Sequence, residues 1–194
     1  MRTSRLVLLL ATIATPLTLS AGTATVLGWN NLGMHCMDSD CSVFSVLPPY
    51  NTIECQLIVG GRLVTNGSGY SVTYQAVADP GGSFNSTSVG KGNYYTFVQG
   101  LYGAAVPPDA GLAGWSMPGP ANTPQAMLFE VTNVPAGGVA TPVNWFRAEG
   151  IPITPFDDAH KKNPYPMMRL IASSGLRPRF PRARHGSPFE HHAR

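Results

Sequence analysis

Residues 53–59 read Ile-Glu-Cys-Gln-Leu-Ile-Val, so Ile53, Cys55, Leu57 and Val59 alternate with Glu54 and Gln56. A period of two sends the two sets to opposite sides of a strand, which no helix of 3.6 residues per turn can do. Gly60-Gly61 and Arg62-Leu-Val-Thr65 follow, so the strand must fold back through a turn whose positions both accept positive φ. Asn66-Gly67 marks another turn before Tyr70, Val72, Tyr74, Ala76 and Ala78 alternate in a further strand, which Asp79-Pro-Gly-Gly82 ends. Further strands are expected at Ser42–Leu47, turning at Pro48-Pro-Tyr-Asn51, at Met127–Val131, at Val143–Ala148 and at Met167–Ala172. The helical period occurs once, in Tyr94, Phe97, Val98 and Leu101, with Asn93 placed to cap and Gly103 to terminate. Gly (21) and Pro (18) make up about a fifth of the 194 residues, and nine of the 18 prolines fall in two long stretches, 104–125 and 150–166. The expected fold is mainly β: an antiparallel β-sandwich or β-rich barrel with one short helix at 93–102 and two long Pro/Gly loops.

The ends differ from the body. Arg2 and Arg5 precede an apolar run from Leu6 to Ala21 and the small residues Gly22 to Ala24, the pattern of a secretory signal peptide over 1–21. The run is shorter than the roughly 20 residues a transmembrane helix needs, so no membrane span is expected once it is cleaved. The chain is read as exported, periplasmic or extracellular. Residues 176–194 hold five Arg, three His and the single acid Glu190. That stretch reads as a disordered basic tail, or as a frame slip that ends a longer protein early. Between the ends, 22–175 form one β-rich domain with six basic and nine acidic side chains. The net charge of +3 therefore belongs to the ends, and the acidic body argues against nucleic acid as a partner.

Chemistry concentrates in Met34-His-Cys-Met-Asp-Ser-Asp-Cys41. Met34, His35, Cys36 and Met37 form a soft ligand set that would suit copper in an electron-transfer domain, with His160 as the one body His left to complete it. The Cys36-x4-Cys41 spacing is not that of a zinc ribbon, and no C-x-x-C-H haem attachment string occurs. Asp38 and Asp40 have the spacing of an oxygen-ligand loop without the later carboxylate that calcium needs, and more simply satisfy turn backbone. Three cysteines in an exported chain suggest one bridge. Cys41–Cys55 would close a loop of about 13 residues, worth roughly 3 kcal/mol of chain entropy. Cys36–Cys55 is the rival pairing, and a free thiol beside His35 would be the thiol-catalysis alternative. Trp29, Trp115 and Trp145 are candidates for a sugar or peptide groove or for the core. No P-loop, G-x-G-x-x-G, G-x-S-x-G or H-E-x-x-H string is present, so no catalytic set is assigned.

Four strings, Gly28–Ile53, Ala76–Ser83, Leu112–Met127 and Ala148–Leu170, resemble the N-terminal β-rich region of uncharacterised exported bacterial proteins that carry c-type haem C-x-x-C-H motifs further downstream. The resemblance spans residues 26–172. Cys41 and Cys55 stand where that pattern usually has other residues, which fits their pairing with each other, and the haem-bearing continuation does not follow in this chain. The resemblance implies a non-enzymatic structural or docking module of a cytochrome-associated protein, with a c-type cytochrome or another exported protein as partner. The two other readings are the copper or other metal-binding electron-transfer domain, and a hydrolase or glycan-active enzyme built on the loops at 104–125 and 150–166.

Overall fold

The alternating run at 53–59 becomes the middle of β2 (Tyr50–Val59). On one side it pairs with β1 (Ala24–Asn30), from Ala24↔Val59 to Asn30↔Ile53. Its other side is shared by β3 (Arg62–Leu63) and β7 (Val139–Pro152), and β7 pairs in turn with β6 (Leu128–Ala136). The smaller sheet runs β5 (Gln125–Ala126), β4 (Tyr70–Ala76), β8 (Met168–Ser174). All these pairings are antiparallel and both sheets are open paths, so of the two expected architectures the sandwich is formed. The computed structural model describes residues 24–32 and 37–175. The expected signal peptide, the basic tail, Met34, His35 and Cys36 lie outside the described residues.

One core joins the sheets. Ile53, Cys55 and Leu57 of β2 and Phe146 of β7 meet Val72 and Tyr74 of β4, all of them buried. The Tyr74 hydroxyl donates to the Ser116 carbonyl at 2.7 Å, which gives this buried phenol its partner. Phe146 stacks edge-on against Phe129 at 5.2 Å. A second cluster lies beneath α1 (Tyr94–Tyr102), where Tyr94 and Val98 cover Cys41.

Three local expectations change. Ser42–Leu47 forms no strand, because the Asp38 carboxylate accepts from the Val46 and Leu47 amides at 2.6 and 2.8 Å and folds the segment into a turn. Asn93 begins the helix but does not cap it. Its side chain accepts from the Cys41 amide at 2.9 Å and donates to Asp40 at 2.7 Å, tying the helix start to the Asp38–Cys41 segment. Gly103 terminates the helix as expected, at φ 72° with its N–H on the Gln99 carbonyl. The Cys41–Cys55 bridge is not formed: both are buried free thiols, Cys41 under the helix and Cys55 in the inter-sheet core. The spacing that suggested it assumed adjoining strands, and the Asp38 turn removes the first of them.

The strand expected at 143–148 is longer, and with β6 it makes a hairpin whose end, from about 131 to 142, is mostly exposed on both faces. No charged residue lies between Glu130 and Arg147. Gly137 and Gly138, at φ 58° and 81°, form its turn, which places Ala136 opposite Val139. In an antiparallel ladder closed this way hydrogen-bonded and non-hydrogen-bonded pairs alternate, so Pro135 and Pro142 fall at non-bonded positions. Their missing N–H groups therefore face outward and cost the hairpin nothing, while blunting both of its free edges.

Candidate functional site

A sandwich sheet normally turns polar side chains to solvent on its outer face. On the larger sheet the charged side chains of that face stand only in its middle. Cross-strand pairing places Trp29 beside Glu54, Glu54 beside Arg147, and Trp145 beside Glu130. Trp29 Nε1 donates to Glu54 Oε2 at 3.1 Å, and the two indoles lie 6.2 Å apart, tilted by 59°. Trp145 Nε1 donates to Thr132 at 3.2 Å. The Arg147 guanidinium sits among three carboxylates, its Nε 3.3 Å from Glu54 and its Nη1 3.6 Å from both Glu130 and Glu149. Under this cover Glu54, an outward residue by alternation, is only 5% exposed. One guanidinium among three carboxylates leaves a local negative excess.

Around this centre the same face carries exposed apolar side chains: Leu27 of β1, Leu63 of β3, Leu128 and Val134 of β6 and Val139 of β7. Val139 is 65% exposed. Scattered apolar residues at a surface are ordinary, but a ring of them on one sheet face is the pattern of an interaction surface.

The segment singled out for its soft ligands is only partly described. Met37 packs against the helix cluster, with its methyl group close to Gly92. Asp38 and Asp40 serve turn backbone, and Asn93 followed by Ser42 holds the Asp40 carboxyl below its ordinary range. Among the described residues no three metal-ligating side chains converge. Burial pushes the Cys55 thiol up to about 12, so at neutral pH it is neither a nucleophile nor a ligand without deprotonation. Trp115 belongs to the core and donates to the Ala126 carbonyl at 3.0 Å, whereas Trp29 and Trp145 belong to the outer face. Two grooves, of about 460 and 420 Å³, open along the seams between the sheets, one lined by Tyr70, Met127 and Phe129 and the other by Val26, Met167 and Leu170.

The long loops are held by a buried polar network that sequence reasoning missed. Asp109, at φ 65°, accepts from the Thr87 hydroxyl at 2.7 Å and from the Ser88 amide at 2.5 Å. Asp158 accepts from the Ser86 hydroxyl at 2.7 Å and from Lys91 Nζ at 2.6 Å. Lys91 Nζ also lies 2.9 Å from Asn85 Oδ1. Asn85, Ser86, Ser88 and Lys91 are all buried. Burial lowers the Lys91 amine below the ordinary lysine range, since its neighbours restore less than full hydration. Asp158 is partly exposed. Burial acts to raise it, but the Lys91 and Ser86 hydrogen bonds together hold it low. The one signal in the sequence is that Lys91 stands alone, the other lysines being Lys161 and Lys162.

No protein-family model, curated protein or solved structure matches the chain.

Proposed function

We infer that the chain is a non-enzymatic exported β-sandwich module that docks a partner on the outer face of its larger sheet, a c-type cytochrome being the partner the sequence resemblance points to. The observation that carries the reading is the exposed apolar ring around the Glu54–Arg147–Glu130 centre, on a face that would otherwise be polar. The negative excess of that centre suits a partner with a basic surface, where opposite potentials raise the encounter rate and fix the register.

The test is recovery of the tagged chain from the periplasm of an exporting bacterium, read by Soret absorption and haem staining. Haem should accompany the chain and be lost from a Leu27→Asp, Val139→Asp variant that melts at an unchanged temperature. Recovery without haem refutes the cytochrome as partner. Haem retained by the variant refutes this face as the docking surface.

A further inference from the structure

We propose that Lys91 and Asn85 close an intramolecular isopeptide bond, which locks the 85–91 loop beneath the segment bearing Asp158. Lysine is almost never fully buried, and Lys91 is 2% exposed. Its amine has two neighbours, Asn85 Oδ1 at 2.9 Å and Asp158 Oδ1 at 2.6 Å. Asn85 is equally buried, and its Nδ2 donates to the Thr154 carbonyl at 2.5 Å, which fixes the carboxamide with its oxygen toward the amine. A nucleophile, an electrophilic carbonyl and a proton acceptor are thus held together, the arrangement in which proximity replaces a bimolecular step. The lowered lysine pKa makes the neutral amine accessible.

Asn85 is the electrophile rather than Asp158. The Asp158 carboxylate accepts from the Ser86 amide, the Ser86 hydroxyl and the Thr87 amide as well as from Lys91, and these hold it ionised, the form that resists attack. The same ionised group is the base. Asp158 takes a proton from the Lys91 ammonium, and the Nζ lone pair forms a bond to Cγ of Asn85. The Cγ–Nδ2 bond breaks, and Nδ2 leaves as ammonia, taking a proton from Nζ and then the one held by Asp158 to depart as ammonium. One C–N bond is exchanged for another and no oxidant or reductant is needed. Burial of both partners excludes the water that would compete for Cγ.

The wild-type full chain, denatured, reduced and digested with trypsin, decides the matter by mass spectrometry. Trypsin cannot cleave after an amidated lysine, so the expected product runs from Leu63 to Arg147 uncut and is lighter by one ammonia, with fragment ions placing the loss between Asn85 and Lys91. Lys91→Arg should restore both cleavage and full mass. Free cleavage after Lys91 with unmodified masses overturns the proposal. So does an ammonia loss that maps to Asn66-Gly67, and so does a loss of water that links Lys91 to Asp158.

Discussion

The loop network makes Asp109 the residue whose replacement tests the architecture most sharply. Its carboxylate accepts from the Thr87 hydroxyl, the Ser88 amide and the Ser88 hydroxyl, and its own amide donates to that Ser88 hydroxyl at 2.7 Å. In Asp109→Ala the three contacts to the carboxylate vanish. Each is a hydrogen bond to a charged group, worth about 1.5–3 kcal/mol, and the Ser88 amide is left in a fully buried residue at a further cost of about 1–3 kcal/mol. Thr87 is half-buried and rehydrates, which removes its share, so the two Ser88 contacts and the stranded amide leave an expected destabilisation of about 4–9 kcal/mol. That is a large fraction of the roughly 5–15 kcal/mol that holds a domain folded.

Backbone and carboxylate contributions can be separated, because Asp109 sits at φ 65° where glycine is at ease and alanine is not. Asp109→Gly should therefore be less damaging than Asp109→Ala by about 1 kcal/mol. Asp109→Asn, which keeps an acceptor and tolerates this conformation, should lose only about 1–2 kcal/mol. Urea unfolding followed by tryptophan fluorescence gives all three values, provided the slope with denaturant stays constant across the series. An alanine variant within about 1 kcal/mol of wild type, or a glycine variant no better than alanine, would refute the view that this carboxylate organises the loops.

Three further outcomes are expected. Under non-reducing conditions Cys41 and Cys55 should resist thiol reagents in the native domain and both react once it is unfolded, and a Cys41–Cys55 peptide in a non-reducing map would contradict the free thiols of the structure. With Lys91 unlinked, as in an Asn85→Ser background, burial acts to raise the Asp158 carboxyl but the Lys91 and Ser86 hydrogen bonds hold it below its unfolded value, so its stabilisation is present above about pH 4 and lost as pH falls through the lowered folded value. In that background melting temperature should accordingly drop more steeply in acid with Asp158 present than with Asp158→Asn, and parallel curves would remove this residue from the acid response. Finally, Pro135→Thr with Pro142→Thr restores outward N–H groups to both edges of the β6–β7 hairpin and should raise self-association in light scattering without a change in melting temperature. An unchanged monomer would mean that the prolines do not protect the edges.

What the sequence revealed and what it hid divide along the range of the interactions. The alternation of Ile53 to Val59, the Tyr70–Ala76 strand and the Tyr94–Tyr102 helix rest on neighbours within a few residues, and those elements form where the periods placed them. The Ser42–Leu47 strand failed because a side chain several residues earlier, Asp38, offered its amides a nearer partner than any ladder. The outer face was half legible. Alternation put Glu54 outward, but only the register with β1 and β7 brings Trp29 and Arg147 over it. Least legible was Ser83–Asn93, a run rich in Ser, Asn and Gly that composition assigns to an exposed loop. Its burial depends on Asp109 and Asp158, which meet Ser88 and Ser86 across 21 and 72 residues of chain. Because a loop of polar residues can be buried only when its amides and hydroxyls find acceptors, two distant aspartates convert a sequence that reads as surface into interior. The long-loop half of this domain is therefore built on carboxylates where the strand half is built on apolar faces, which is why charge substitutions should damage it more than loss of apolar area.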